Sequence, residues 1–461
     1  MQDLTTGSIS THLLKTASFM LVTMVFQTLY FLVDLYWVGH LGKEAVAGVG
    51  VAGNLTFIVL AVSQMLGVGT TTLVSHAAGQ RNAERALLVF NQSQVLSTVV
   101  GLAFLVVSMA FRTTYANGLS ADATTAGSAA AYLLYFLPAM SLQFGMVGMA
   151  AALRGVGNFK PGMVVQTATV IINIVLAPVL MFGWGTGRPM GVAGAAVASL
   201  IAVAIGVAWL STYFFGREGY LRFVGRDMKP QFQLWKDMLK IGLPAGAEFA
   251  MMAVYLMLVY ALARPFGAAA QAGFGIGMRV VQALFMPVVA LGFSVAPVAG
   301  QNVGARLGGR VKAVFRDASL MAAGWMLLMA VFCNVVPAAL IRVFSDDPAV
   351  IAVGEEYLRI VAWTFVASGV IFVCSSMFQA MGNTMPSLVA SVTRIVVIAV
   401  PAIALSTTPG FHLLWIWYLS AGAVVLQLGI VLTFLRREFR LRLGSMPSPV
   451  ITEPVADSAS A

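Results

Sequence analysis

Charge is scarce in this chain. Asp, Glu, Lys and Arg make up 10% of its 461 residues, whereas a soluble domain carries roughly a quarter. So few charges exclude a water-facing globular enzyme or binding domain of this size. Cysteine is nearly absent too: Cys333 and Cys374 are the only two, both inside apolar runs. That excludes a disulfide framework or a cysteine-rich metal site, and each reads as a small apolar filler. No H-E-x-x-H, G-x-S-x-G, Walker A or Cys/His zinc spacing occurs, and no soluble stretch is long enough to bind ATP. Neither enzymatic activity nor a cofactor is expected. The segment Met1 to His12 lacks the basic n-region and cleavage site of a signal peptide, so the first apolar stretch is expected to stay as a transmembrane helix.

What fills the chain instead is apolar surface, with 59% hydrophobic residues and a mean hydropathy of +0.90. Hydrophobic stretches of about 20 residues recur, each able to cross a hydrocarbon layer of roughly 30 Å. The pattern predicts an all-α polytopic membrane protein with twelve helices, near 13–38, 51–76, 86–111, 123–152, 161–182, 191–215, 237–263, 273–299, 310–337, 349–380, 386–406 and 411–435. With those spans, Lys43, Arg112, Arg188, Arg264 and Arg342 fall on one membrane face. Most other basic residues, including the 217–240 cluster and Arg436 to Arg442, fall on the opposite face. That asymmetry places both termini in the cytoplasm and accounts for the net charge of +10 without nucleic acid as a partner.

Glycine signatures repeat along the chain. Gly42, Ala47, Gly48 and Gly50 return 225 residues later as Gly267, Ala272, Gly273 and Gly275. Gly157-Asn158 with Pro161 returns at the same offset as Gly382-Asn383 with Pro386. Gly79-Gln80 with Arg85 matches Gly300-Gln301 with Arg306 at 221, a slip of about one helical turn. Two copies of a six-helix unit are therefore expected. Because six is even, the copies run parallel, as lobes related by a pseudo-two-fold axis along the membrane normal. The expected organisation is a cytoplasmic N-terminus (1–12), an N-terminal lobe (13–215), a charged cytoplasmic linker (216–236), a C-terminal lobe (237–435) and a basic, then disordered, tail (436–461).

Ionisable groups inside spans mark functional candidates. Asp34 lies in the very apolar Phe19–Val38 stretch, with Gln27 and Tyr30 before it on the same helical face. That stripe must meet protein or water, since lipid cannot solvate it. A carboxylate there reads as an ion or proton site, or as polar glue between helices. A cation entering such a cavity favours the ionised carboxyl and expels its proton, which is exchange in miniature. Asn173 and Ser199 can add oxygens from spans five and six. In the second lobe, Glu248, Arg279 and Arg394 form a candidate polar site, with Glu248–Arg279 expected as an ion pair and Arg359 free to meet Glu355 or Glu356. Five prolines (Pro138, Pro178, Pro287, Pro297 and Pro401) fall within spans as kink points.

Val33-Asp34, Val38-Gly39-His40-Leu41-Gly42, Gly79-Gln80, Arg154-Gly155-x-Gly157-Asn158 with Pro161, Gly194-Ala195-Ala196 and Gly300-Gln301 together resemble the multidrug and toxic compound extrusion (MATE) family. The resemblance spans the chain from the first helix to the last. It implies two six-helix lobes forming a V, a multi-pass protein of the bacterial inner membrane, and export of organic cations in exchange for protons or sodium. It also implies an N-lobe network at Gln27, Tyr30, Asp34, Asn173 and Ser199, the last usually a threonine. A monomer is expected, whose partners are small organic cations and the lipid bilayer. Three departures stand out: Ala177 precedes Pro178 where many members carry aspartate, Glu248 follows Pro244 by one turn rather than two, and the span-ten acid is absent at Ala362-Trp363-Thr364-Phe365. Sodium needs several hard oxygens whereas a proton needs one carboxyl, so proton coupling at Asp34 is favoured, with sodium there as the alternative. The rival reading is a flippase for a lipid-linked or amphipathic metabolite, with Arg279, Arg359 and Arg394 meeting its headgroup.

Overall fold

Helix is the only regular structure among the described residues of the computed structural model, which are 2–185, 187–216, 219–406, 408 and 410–444. Twelve helices are long and apolar enough to cross a membrane: Ile9–Gly39, Lys43–Gly79, Ala83–Leu119, Ala123–Gly155, Lys160–Phe182, Val192–Thr212, Phe232–Phe266, Ala268–Gly304, Gly308–Val335, Pro348–Ala380, Met385–Ser406 and Leu413–Leu443. They are numbered here as spans one to twelve. Their ends follow local chemistry. Asn82 accepts from the Arg85 amide at 2.9 Å and Asp122 from the Thr125 amide at 2.7 Å, so each side chain satisfies an amide that a helix start leaves open. All five prolines sit inside helices that continue past them.

Most spans outrun the apolar stretches, because the helix continues into polar sequence. Span seven starts at Phe232, inside the segment expected to be linker. The buried Gln92 of span three explains why: its amide donates to the carbonyls of Asp227 and Lys229, and its oxygen accepts from Gln231 N and Trp235 Nε1. Span twelve continues to Leu443 and so carries the basic residues Arg436 to Arg442 in helix. Arg217 and Glu218 of the linker, and 445–461 of the tail, lie outside the described residues.

Backbone conformation repeats with the sequence. Gly42 and Gly267 both have positive φ, 107° and 89°, as do Gly157 and Gly382, 78° and 72°. Arg81 and Arg306, again 225 residues apart, are the two non-glycine residues with positive φ among those described, at 56° and 58°. The four-residue slip expected at Gly79 is therefore wrong. Span two ends at Gly79 and span eight at Gly304, so the offset stays at 225 throughout. The Gly-Gln dipeptide recurs one turn early because small residues cluster wherever the two lobes cross.

That crossing is the seam of the molecule. A Cβ on Gly79 would strike the backbone of Gln301, one on Gly304 the backbone of His76, and one on Gly300 the Ser75 side chain. His76 and Gln301, and Ser75 and Gly300, are also 225 apart, so the seam is two-fold. Gly69 against Met238, Gly242 against Met65 and Gly246 against Ala61 extend it along spans two and seven. The His76 ring lies 2.6 Å from the Ala380 carbonyl, and Thr72 donates to that of Gln379 at 2.9 Å.

The first residues reinforce the same end. Leu4 is fully buried, its amide donates to Gln301 Oε1 at 3.0 Å, and its carbonyl accepts from Asn302 at 3.2 Å, while Gln301 also donates to Gly155 of the N-lobe at 3.0 Å. A segment that looks polar in sequence is a buried bridge between lobes.

Gly242→Ala and Gly304→Ala are expected to destabilise the protein by about 1–3 kcal/mol each, because a methyl there meets a carbonyl that belongs to rigid helix. Gly324→Ala, with open space around it, is expected to be neutral or stabilising, by up to about 1 kcal/mol. Thermal unfolding in detergent, followed by tryptophan fluorescence, separates the three.

Candidate functional site

In the N-lobe, spans one, four, five and six converge on one polar cluster. Tyr30 Oη lies 3.0 Å from Ser199 Oγ, and Asn173 Nδ2 donates to the same hydroxyl oxygen at 2.9 Å. Asn173 and Ser199 are 3% and 4% exposed, so the inner end of this chain is buried in the lobe, while Tyr30 is half-buried. The helical period puts Tyr30 and Asp34 one turn apart on the same face. Asp34 Oδ1 is buried and accepts no hydrogen bond, and Trp37 Nε1 is buried and donates none. A dry carboxylate oxygen without a donor is costly. A proton or a cation relieves it.

The structure thus joins Tyr30, Asn173 and Ser199 directly, with Asp34 one turn along. It does not join Gln27, which is exposed and bonds to none of them. Gln27 shares the face of Asp34 but sits roughly 10 Å away along the axis, at a depth where that face is uncovered. A residue that sequence reasoning passed over, Tyr132 of span four, is buried within electrostatic reach of both Tyr30 and Asp34. Its signal was the repeat itself: Tyr30 and Tyr132 return as Tyr255 and Tyr357, each 225 residues on.

The C-lobe departs further from expectation. Glu248 makes no ion pair with Arg279. Ser375 donates to its Oε2 at 2.9 Å, and Ser387 and Ser391 donate to its Oε1 at 2.8 and 3.5 Å. Arg279 is exposed, and no carboxylate of the described residues lies within 4 Å of it. Arg359 pairs with Glu355 at 2.8 Å, one helical turn away. Arg394 lies 4.8 Å from the centre of the Tyr255 ring. At the seam, Gln64, Thr71, Arg154, Phe293 and Gln379 line a narrow pocket between the lobes. Among the described residues no three His, Cys, Asp or Glu side chains gather as metal ligands.

Comparison with known proteins agrees with this architecture. The family model MatE matches residues 20–179 and 244–405, one block in each lobe. The chain is 27% identical to the probable multidrug resistance protein YoeA of Bacillus subtilis, over 89% of this chain and 90% of that one. It is 25% identical to a FAD transporter of Shewanella oneidensis, over 82% and 83%. Among solved structures, a crystal structure of MATE in complex with MaL6 superposes with a TM-score of 0.88 over 96% of this chain and 98% of the other. An outward-facing multidrug resistance MATE family transporter superposes at 0.87 over 95% and 97%. Both are 22% identical and share the fold. With both repeats matched, twelve membrane spans and two lobes joined at a glycine seam, this chain belongs to the MatE family of multidrug and toxic compound extrusion transporters.

Proposed function

We propose that this protein is a secondary active antiporter of the bacterial inner membrane that exports amphipathic organic cations in exchange for protons, with Asp34 as the coupling group. The observation that carries the reading is the buried Asp34 oxygen without a donor, beside the hydrogen-bonded chain of Tyr30, Ser199 and Asn173. A carboxyl in that state has two ways to be satisfied, a proton or a positively charged guest, and cannot take both. Competition between them couples their movements. The seam at the termini-bearing end supports an arrangement open at the opposite end, and the basic residues on the termini side support a cytoplasmic location for that end.

Sodium at the same carboxylate is the alternative coupling ion, and the few oxygens grouped there favour the proton. The flippase reading narrows to one residue. Arg279 is exposed and Arg359 is held by Glu355, so of these three arginines Arg394 is the one left within a lobe to meet an anionic group. A relative described as a FAD transporter keeps amphipathic metabolites among the candidate cargoes.

The test is uptake of a fluorescent organic cation into inverted membrane vesicles. A proton gradient, acid inside, is expected to drive accumulation, and a sodium gradient alone is expected to drive none. Each elementary charge moved down 100 mV supplies about 2.3 kcal/mol, nearly fiftyfold in concentration. Uptake driven by sodium alone would reassign the coupling ion, and no uptake under either gradient would sink the reading.

A further inference from the structure

The two lobes carry the same tyrosine frame around opposite charges. Tyr30 and Tyr132 of the N-lobe correspond at an offset of 225 to Tyr255 and Tyr357 of the C-lobe. In the N-lobe, Tyr132 lies in electrostatic reach of Tyr30 and Asp34; in the C-lobe, Tyr357 lies in reach of Tyr255 and Arg394. A tyrosine on the first helix of each lobe meets a serine on the last: Tyr30 and Ser199 at 3.0 Å, Tyr255 and Ser420 at 3.4 Å. The charged residue is exchanged, and the positions equivalent to Asn173 and Ser199 are the apolar Ile398 and Val424. The position equivalent to Asp34 is Val259, and the position equivalent to Arg394 is Thr169.

Arg394 is left with an unspent donor. Its guanidinium covers the Tyr255 face, yet its Nε is buried with no partner. No carboxylate of the described residues lies within 4 Å of it. Trp417, fully buried against Tyr357 at 4.9 Å between rings, has an indole N–H that is likewise unspent. The Tyr357 hydroxyl spends its proton on the Met278 sulfur, a weak acceptor. The nearby acid, Glu248, is taken by three serines. An uncompensated guanidinium at mid-span is expensive and marks function, and a planar fork of N–H groups fits an oxyanion. Arg394 stands about one turn beyond Ser391 on span eleven, on the side away from the seam, and is itself only half-buried.

We propose that Arg394, half-buried at mid-span with its guanidinium over the Tyr255 face, binds the oxyanion, carboxylate or phosphate, of an amphiphilic solute, so that the lobes offer opposite charges to one cargo. This rests on the export reading above and extends the cargo from pure cations to zwitterionic and anionic amphiphiles.

The test compares a cationic rhodamine ethyl ester with its free acid, which differ only in the carboxylate, bound to purified full-length protein in neutral detergent without anionic lipid and followed by fluorescence polarisation. Wild type is expected to bind both. Arg394→Gln is expected to weaken the free acid at least about tenfold, 1.4 kcal/mol, and to leave the ester within about twofold, with Arg394→Lys in between because it keeps charge but loses the fork. Unchanged ester binding is also the control for folding. Equal weakening of both dyes, or weakening of neither, overturns the proposal. So does a wild type that fails to bind the free acid; if it still binds the ester, the export reading stands, and if it binds neither, that reading falls as well.

Discussion

Asp34→Asn is expected to insert and fold, to bind organic cations more weakly because the attracting charge is gone, and to lose coupled export. The amide is nearly isosteric with the carboxyl and can use the unspent donor and acceptor sites beside it, so little packing is at stake. What disappears is the exchangeable proton. In inverted vesicles with an acidic interior, dye accumulation is expected to fall at least about tenfold, the change that 1.4 kcal/mol of lost coupling produces, and approach that of vesicles without transporter. Counterflow of dye against dye, which needs no proton, is expected to persist. The two readouts together separate a coupling residue from a structural one: a helix-packing role for Asp34 would depress both and lower the melting temperature. Normal proton-driven accumulation by Asp34→Asn would remove the proposed engine. Asn173→Ala and Ser199→Ala make a milder comparison, because they break the chain at Tyr30 without touching the carboxyl.

Asp34 was legible in the sequence because an acid within twenty apolar residues has no cheap explanation in lipid. The twelve spans were legible for the same reason, since a bilayer requires long apolar helices and punishes anything else. Tyrosine and serine carry no such penalty and occur everywhere, so Tyr132 had only its return as Tyr357 to mark it, and the serines holding Glu248 gave no signal until spans ten and eleven met span seven. Gln92 of span three gave no signal either, although its amide straps the linker to the lobe. The linker was read from its charge as running to residue 236, but span seven starts at Phe232 and the backbone before it has partners that only the fold supplies. Periodicity placed Gln27 on the correct face and left its depth open, and depth decides whether a neighbour covers it. The exchange of Asp34 for Val259 and Thr169 for Arg394 needed a constant offset, which the coincidental Gly-Gln dipeptide obscured.

Glu248 is expected to behave as a pin rather than as a second coupling site. The contrast with Asp34 is chemical. One carboxylate has a buried oxygen with no donor, whereas the other accepts from three hydroxyls on spans ten and eleven. A satisfied carboxylate has little to gain from a passing cation or proton. Its effect is to fasten span seven, immediately beyond the glycine seam at Gly246, to the outer helices of its lobe. Glu248→Ala is expected to cost about 3 kcal/mol: three hydroxyls lose a charged acceptor, worth roughly 1.5–3 kcal/mol each, and recover part of that from carbonyls of their own helices. Glu248→Gln keeps an oxygen for two of the serines and is expected to melt close to wild type and to export dye within about threefold of it, a difference under 1 kcal/mol. Thermal unfolding and vesicle uptake on both variants check this. A Glu248→Gln protein that folds normally and exports nothing would show that the charge itself is used, and would move the coupling chemistry, in part, into the C-lobe.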